Sequence, residues 1–166
     1  MRFEFCGARR WRIGLALAGA LLVAACSSTQ NAMDPNAAGG AATPGSTQDF
    51  VVNVGDRVFF TVDSADLTPE GRATLDKQAT WLARYAQYSV TIEGHADERG
   101  TREYNLALGA RRATATRNYL VSRGIPASRL NTISYGKERP VAVCDDISCW
   151  SQNRRAVTVL GGKPGA

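Results

Sequence analysis

Between Glu93 and Arg112 the chain gathers the residue types of a reaction centre. The stretch "EGHADERGTREYNLALGARR" holds its only histidine, His95, among four acids and four arginines. Two chemistries fit such a cluster. One is hydrolysis, with a carboxylate or imidazole moving protons, or about three side chains holding a water-activating metal. The other is recognition, in which a fixed acid and a fixed base hold a zwitterion and no bond is made or broken. Asp97 follows a strand-like run through Ile92, and Arg112 lies inside the helical run that comes next. One loop and one turn can bring them together. Asp97 would then meet an ammonium, and Arg112 would fork onto a carboxylate, a geometry that suits a guanidinium. The helix N-terminus near Thr101 adds amide dipoles favourable to an anion.

Hydrolysis is the weaker reading. A carboxylate set exists in Glu93, Asp97 and Glu98, but an arginine beside Asp97 depresses its pKa, which suits a permanent charge better than a proton carrier. His95 is the one imidazole in the chain, and at a strand end it reads as a hydrogen-bonded structural residue. Neither a metal nor a cofactor is expected.

The elements that must position these residues are legible from periodicity. "DRVFFTVDSADL" alternates through Val58, Phe60 and Val62 and predicts a strand. Thr68 is placed as an N-cap with Pro69 at N1. Leu75, Ala79, Leu82 and Ala86 then share one helical face. "SVTIEGHA" returns to alternation, with Val90 and Ile92 pointing one way. A helix from about Thr101 to Arg123 ends at "RGIP", where Gly124 suits the left-handed C′ position and Ile125 can pack back. "RLNTISYGK", with Ile133 and Tyr135 on one face, and "RRAVTVL" predict two further strands. The order strand, helix, strand, helix, strand, strand predicts an α+β two-layer sandwich, its helices on one face of a mixed four-stranded sheet. About 110 residues suffice for a core without metals.

What precedes this head is a different kind of sequence. Arg2, Arg9, Arg10 and Arg12 lead into the apolar run "IGLALAGALLVAA", Ile13 to Ala25. That run is too short for a bilayer span, which takes about 20 residues, and has the form of a secretory signal peptide. Ala24 and Ala25 before Cys26 resemble a bacterial lipobox. Residues 1–25 therefore read as a signal peptide cleaved before a lipidated Cys26, and acyl chains there would anchor the protein to the outer membrane. Residues 26–48, rich in Ala, Gly, Ser, Thr and Pro, read as a flexible linker averaging about 25 Å end to end. Residues 49–166 form the head. With the leader gone, the formal charge of +5 falls by three, so basicity gives no support to nucleic-acid binding. Cys6 leaves with the leader and Cys26 takes lipid. Cys144 and Cys149, an even remainder in an oxidising compartment, are expected to form a disulfide.

Three stretches, "VTIEGHADERGTREYNLALGARRATATRNYL", "ISYGKERP" and "SQNRRAVTV", closely resemble the OmpA C-terminal-like peptidoglycan-binding family, over Val58 to Leu160. The resemblance implies an OmpA-C-like sandwich that binds the diaminopimelate of the peptidoglycan stem peptide without a covalent bond. It implies a head in the periplasm of a Gram-negative bacterium, tethering outer membrane to wall. It also implies partners of the Tol system, chiefly TolB, in envelope integrity and cell division. Onto the family pattern fall Asp97, Arg99, Asn105, Leu108 and Arg112, with Asn105, Leu108 and Arg112 on one helical face. Val62 and Asp63 match the site's rim. There the chain departs from the pattern, with Val62 in place of an aromatic residue and "SAD" in place of "KYD". Bland readings stand beside these. Asn105 could bond loop backbone, Leu108 could be core, Tyr104 and Tyr119 read as packing, and Arg111 sits about 100° round the helix. Arg154 and Arg155 support either the site or the sheet. The alternative to a tether is a periplasmic cell-wall hydrolase using the cluster at 93–98.

Overall fold

The structure, a computed structural model, describes residues 42–162; the expected leader, Cys26 and most of the expected linker lie outside the described residues. Residues 43–48, which composition assigns to the linker, form a turn and enter a one-turn helix α1 (Thr47–Asp49) capped by the Ser46 hydroxyl. A π-helical turn (Phe50–Val54) follows. Phe50 is fully buried against Trp81, and the Tyr88 hydroxyl donates to the Gly45 carbonyl.

Four strands make one sheet: β1 (Arg57–Phe59), β2 (Val90–His95), β3 (Leu130–Gly136) and β4 (Arg155–Leu160). Their order is β1-β4-β2-β3. β4 runs antiparallel to β1 and to β2, whereas β2 and β3 are parallel. A parallel pair needs a crossover, and α3 (Arg102–Ser122) supplies it. With α2 (Pro69–Arg84), α3 covers the sheet over a core that includes Val58, Leu75, Leu82, Val90, Ile92 and Leu120. This is the expected α+β sandwich on a mixed four-stranded sheet.

Local signals explain most boundaries. The Thr68 hydroxyl accepts from the Gly71 amide and starts α2. At the end of α3, Gly124 has φ 92°. The Ile125 amide returns to the Leu120 carbonyl and the Gly124 amide to that of Val121, a pairing that satisfies the last helical carbonyls. Three expectations are corrected. β1 stops at Phe59, short of Val62, because the carbonyls of Thr61 and Ser64 turn toward a side chain of α3. Ala86 lies beyond α2 and is exposed, so the buried face ends at Leu82. An additional helix, α4 (Ile147–Asn153), stands between β3 and β4. It starts at Asp146, whose carboxylate accepts from the Ser148 amide, and the bonded pair Cys144–Cys149 closes the turn into it.

Two glycines set how closely α3 approaches the sheet. A Cβ on Gly94 in β2 would lie 1.8 Å from the Gly109 carbonyl oxygen of α3. A Cβ on Gly109 would lie 2.4 Å from the Ser134 hydroxyl of β3. Neither position has room to relax, since backbone faces backbone at Gly94. Gly94→Ala is therefore expected to destabilise the fold by about 3 kcal/mol. Urea unfolding of the purified variant reads this as a lower midpoint, and a wild-type midpoint would mean that the helix tolerates displacement.

Candidate functional site

Arg112 is the starting point of the site. It lies three residues beyond Gly109, is 0 % exposed, and reaches two separate segments of backbone. Its Nε donates to the Ser64 carbonyl at 2.8 Å, Nη1 to that of His95 at 2.8 Å, and Nη2 to that of Thr61 at 3.1 Å. The guanidinium also sits 5.2 Å from the Phe60 ring centroid. Burial pushes its pKa down to about 10, against the opposing field of Asp97, so it stays a cation at neutral pH. Of its five N–H groups, one on each terminal nitrogen remains without a partner among the described residues.

Asp97 is held from the other side. The Arg99 amide and Nε both donate to its Oδ1 at 3.3 Å, and Arg99 Nη2 donates to Oδ2 at 2.6 Å. Arg154 Nη1 donates to Oδ2 at 3.3 Å while its Nε donates to the Phe60 carbonyl. Burial pushes the Asp97 carboxyl up, but the hydrogen bonds from Arg99 and Arg154 outweigh it and hold the pKa below the usual carboxylate value. Asp97 is 7 % exposed and ionised. Its direct partners are thus Arg99 and Arg154, while Arg112 lines the same cleft. Of the two arginines left open between site and sheet, Arg154 belongs to the site. Arg155 turns to the Asn153 and Arg139 carbonyls.

The loop that carries Asp97 is pinned at three successive carbonyls. Lys137 Nζ donates to Glu98 O at 3.0 Å and Gly100 O at 2.7 Å, and Asn105 Nδ2 donates to Arg99 O at 2.7 Å. A register shift between Gly94 and His95 precedes it, the kind of irregularity that re-aims side chains beside sites. Thr101 caps α3 through its hydroxyl to the Tyr104 amide.

These elements enclose a cleft of about 270 Å³. All seven residues named from the sequence line it: Val62, Asp63, Asp97, Arg99, Asn105, Leu108 and Arg112. Gly100 and Tyr104 complete the walls. Tyr104, read as packing, instead donates its hydroxyl to Asp63 and bridges the two walls. Its i, i+4, i+8 spacing with Leu108 and Arg112 was the available signal. Asp63 has φ 54°, a left-handed conformation that an Asp tolerates better than most residues. Asn105 is buried, bonds loop backbone and also lines the cleft. Tyr119 donates to Asp76 away from the cleft. Lys137 and Trp150, whose ring lies 4.2 Å from the Arg99 guanidinium carbon, escaped the sequence reading because each is far from Asp97 along the chain. Among the described residues no group of three or more His, Cys, Asp or Glu could hold a metal, and no helix is long and apolar enough to cross a membrane.

Residues 59–154 match the model of the OmpA family. The chain is 69% identical to the peptidoglycan-associated lipoprotein of Rhizobium meliloti (strain 1021), over 89% of this chain and 86% of that protein. It is 46% identical to the peptidoglycan-associated lipoprotein of Pseudomonas aeruginosa, over 85% of this chain and 90% of that protein. Among solved structures, that of the peptidoglycan-associated lipoprotein from Burkholderia pseudomallei superposes with a TM-score of 0.62 at 42% identity. It covers 64% of this chain and 90% of that one. The C-terminal domain of Helicobacter pylori MotB has a TM-score of 0.61 at 19% identity, covering 66% of this chain and 86% of that one, which speaks for the fold alone.

His95 departs from expectation. Its ring is 2 % exposed, and neither ring nitrogen has a hydrogen-bond partner among the described residues. It stacks on Tyr135, with Glu93 3.7 Å away. Its carbonyl, not its ring, serves the site. Burial, helped by the fields of Arg155 and Arg139, pushes the imidazole pKa down to about 4. The unfolded chain, with a pKa near 6.5, therefore binds a proton that the folded chain refuses between those values. Stability is full above pH 6.5 and falls as the pH drops toward 4. Urea unfolding should show a loss of about 2 kcal/mol from this group between pH 7.5 and 5. The loss should be absent in His95→Phe; equal pH dependence in both proteins would mean that the imidazole titrates normally.

Proposed function

We propose that this chain, which belongs to the OmpA family, binds peptidoglycan without a covalent bond through the cleft between α3 and the 97–100 loop. The ligand group is the diaminopimelate of the stem peptide, which carries one ammonium and one carboxylate at its far end. The observation that carries this reading is the pairing of opposite permanent charges in one cleft. An ionised Asp97 and a buried Arg112 cation both line it, and Arg112 keeps one N–H on each terminal nitrogen for a carboxylate. Two matched donors on a planar guanidinium suit a carboxylate fork.

The geometry also sets conditions on binding. About four acceptor positions exist on a carboxylate, and Arg99 and Arg154 now occupy four on Asp97. A ligand ammonium must take over positions held by Arg99, the partner whose side chain is at the surface. Arg112 has no exposed surface, so a carboxylate reaches it only when rim side chains such as Tyr104 give way.

The site favours holding over reacting. A proton carrier needs a pKa near the working pH, whereas Asp97 is held low and His95 is a buried, neutral ring outside the cleft lining. The reading therefore is a tether rather than a wall hydrolase. Lipid on Cys26 would anchor it to the outer membrane, with residues 26–48 as the leash and the head in the periplasm. Tol proteins, TolB first, are the proposed protein partners; the relatives' designation as peptidoglycan-associated lipoproteins supports the wall contact and the lipid.

Removing one partner of a desolvated charge pair costs about 2–5 kcal/mol. Asp97→Asn and Arg112→Lys should each weaken binding to purified sacculi by about 30-fold or more. His95→Gln should bind like the wild type. Undiminished pull-down by both charge variants would remove the cleft as the site, and soluble muropeptides released by the wild-type protein would favour the hydrolase.

A further inference from the structure

Trp150 lies on α4, more than fifty residues from Asp97 along the chain, and does not line the cleft. It nevertheless touches the two residues that follow the cleft's acid. The Arg99 guanidinium carbon lies 4.2 Å from its ring centroid, and its indole N–H donates to the Glu98 carboxylate. Arg99 is therefore held between the Asp97 carboxylate and the indole ring.

The helix that presents this ring is itself held at both ends. Asp146 caps its start beside the Cys144–Cys149 bond. At its end the buried Asn153 amide bonds the backbone of Val141 and Ala142 in three places. The indole is thus a rigid platform, while Arg99 is a long side chain at the surface with much rotamer freedom.

We propose that Trp150 is a positioning residue of the cleft, holding the Arg99 cation at the rim when a ligand ammonium displaces it from Asp97. The inference rests on the cleft reading above. Once Asp97 is taken, what keeps that charge in place is the indole face together with the Glu98 carboxylate, which the same indole holds through its N–H. Kept on the indole, it faces the mouth of the cleft and meets a second carboxylate of the ligand. Released from it, the guanidinium disperses into solvent and the mouth loses a fixed positive charge. A cation on an aromatic face at an exposed site is worth roughly two- to fivefold in affinity.

The test is a calorimetric titration of the purified full-chain protein with a diaminopimelate-containing tetrapeptide stem. Trp150→Leu should weaken binding about three- to fivefold, while Trp150→Phe, which keeps an aromatic face, should stay within about twofold. In an Arg99→Ala background the Trp150→Leu change should add nothing, because the two side chains act as one unit. Wild-type affinity in Trp150→Leu, or full additivity with Arg99→Ala, would overturn the proposal. Asp97→Asn separates the two levels. If it loses binding while Trp150→Leu does not, only the role of Trp150 falls; if it binds like the wild type, the cleft reading falls with it. A measurement on the unmutated sequence guards against folding defects. In protein labelled with 5-fluorotryptophan, the Trp150 resonance should shift on saturation with the stem peptide while that of core Trp81 stays. An unmoved Trp150 resonance would overturn the proposal independently.

Discussion

A guanidinium with no exposed surface is the constraint around which this head is organised. Burying an unpaired charge costs several kcal/mol even after relaxation, so Arg112 can sit where it does only with most of its N–H groups occupied. Three backbone carbonyls meet that need, from Thr61 and Ser64 after β1 and from His95 at the end of β2. Each of these bonds couples α3 to a segment far away in the chain. Withdrawing the cation would leave these three carbonyls without their side-chain partner. The close Gly94–Gly109 approach makes the arrangement reachable, since it brings the helix down far enough for the side chain to span to the strand end.

Asp97 answers the same constraint with the opposite sign. Its field stabilises the buried Arg112 cation, and Arg99 and Arg154 in turn keep it ionised. The loop that bears it is fastened at Glu98, Arg99 and Gly100 by Lys137 and Asn105. Charges arranged this way are expensive to move, so the Asp97 loop and the Arg112 cation are held in place by their own network. The Helicobacter pylori MotB domain has a closely similar fold at 19% identity, a reminder that a shared fold carries no function by itself and that such arguments belong to the site.

Much of this was legible in short stretches of sequence. Thr68 and Pro69 announced the start of α2, Gly124 and Ile125 the end of α3, and Val90 with Ile92 the buried face of β2. These are effects of neighbouring residues, so a linear reading captures them. The misreadings share a different cause. β1 looked longer because Phe60 and Val62 continue its alternation, but Arg112 draws the Thr61 and Ser64 carbonyls out of any ladder. α4, a helix of seven residues, is too short for a periodic pattern to declare itself. His95 attracted notice as the sole imidazole, yet burial silences its ring and leaves its carbonyl as the useful group.

The sequence by itself determined the class of fold through helix spacing and strand alternation, the paired cysteines through their even number in an oxidising compartment, and Asp97 and Arg112 through their places on a loop and the helix after it; Val62, Asp63, Arg99, Asn105 and Leu108 came from the family resemblance. Tertiary structure decided who partners whom. Asp97 bonds Arg99 and Arg154, Tyr104 bridges to Asp63, and Trp150 reaches back to Arg99. Those pairings depend on the depth at which α3 lies on the sheet and on which carbonyls are left to satisfy a buried cation. Both are properties of packing in three dimensions, and no spacing along the chain encodes them.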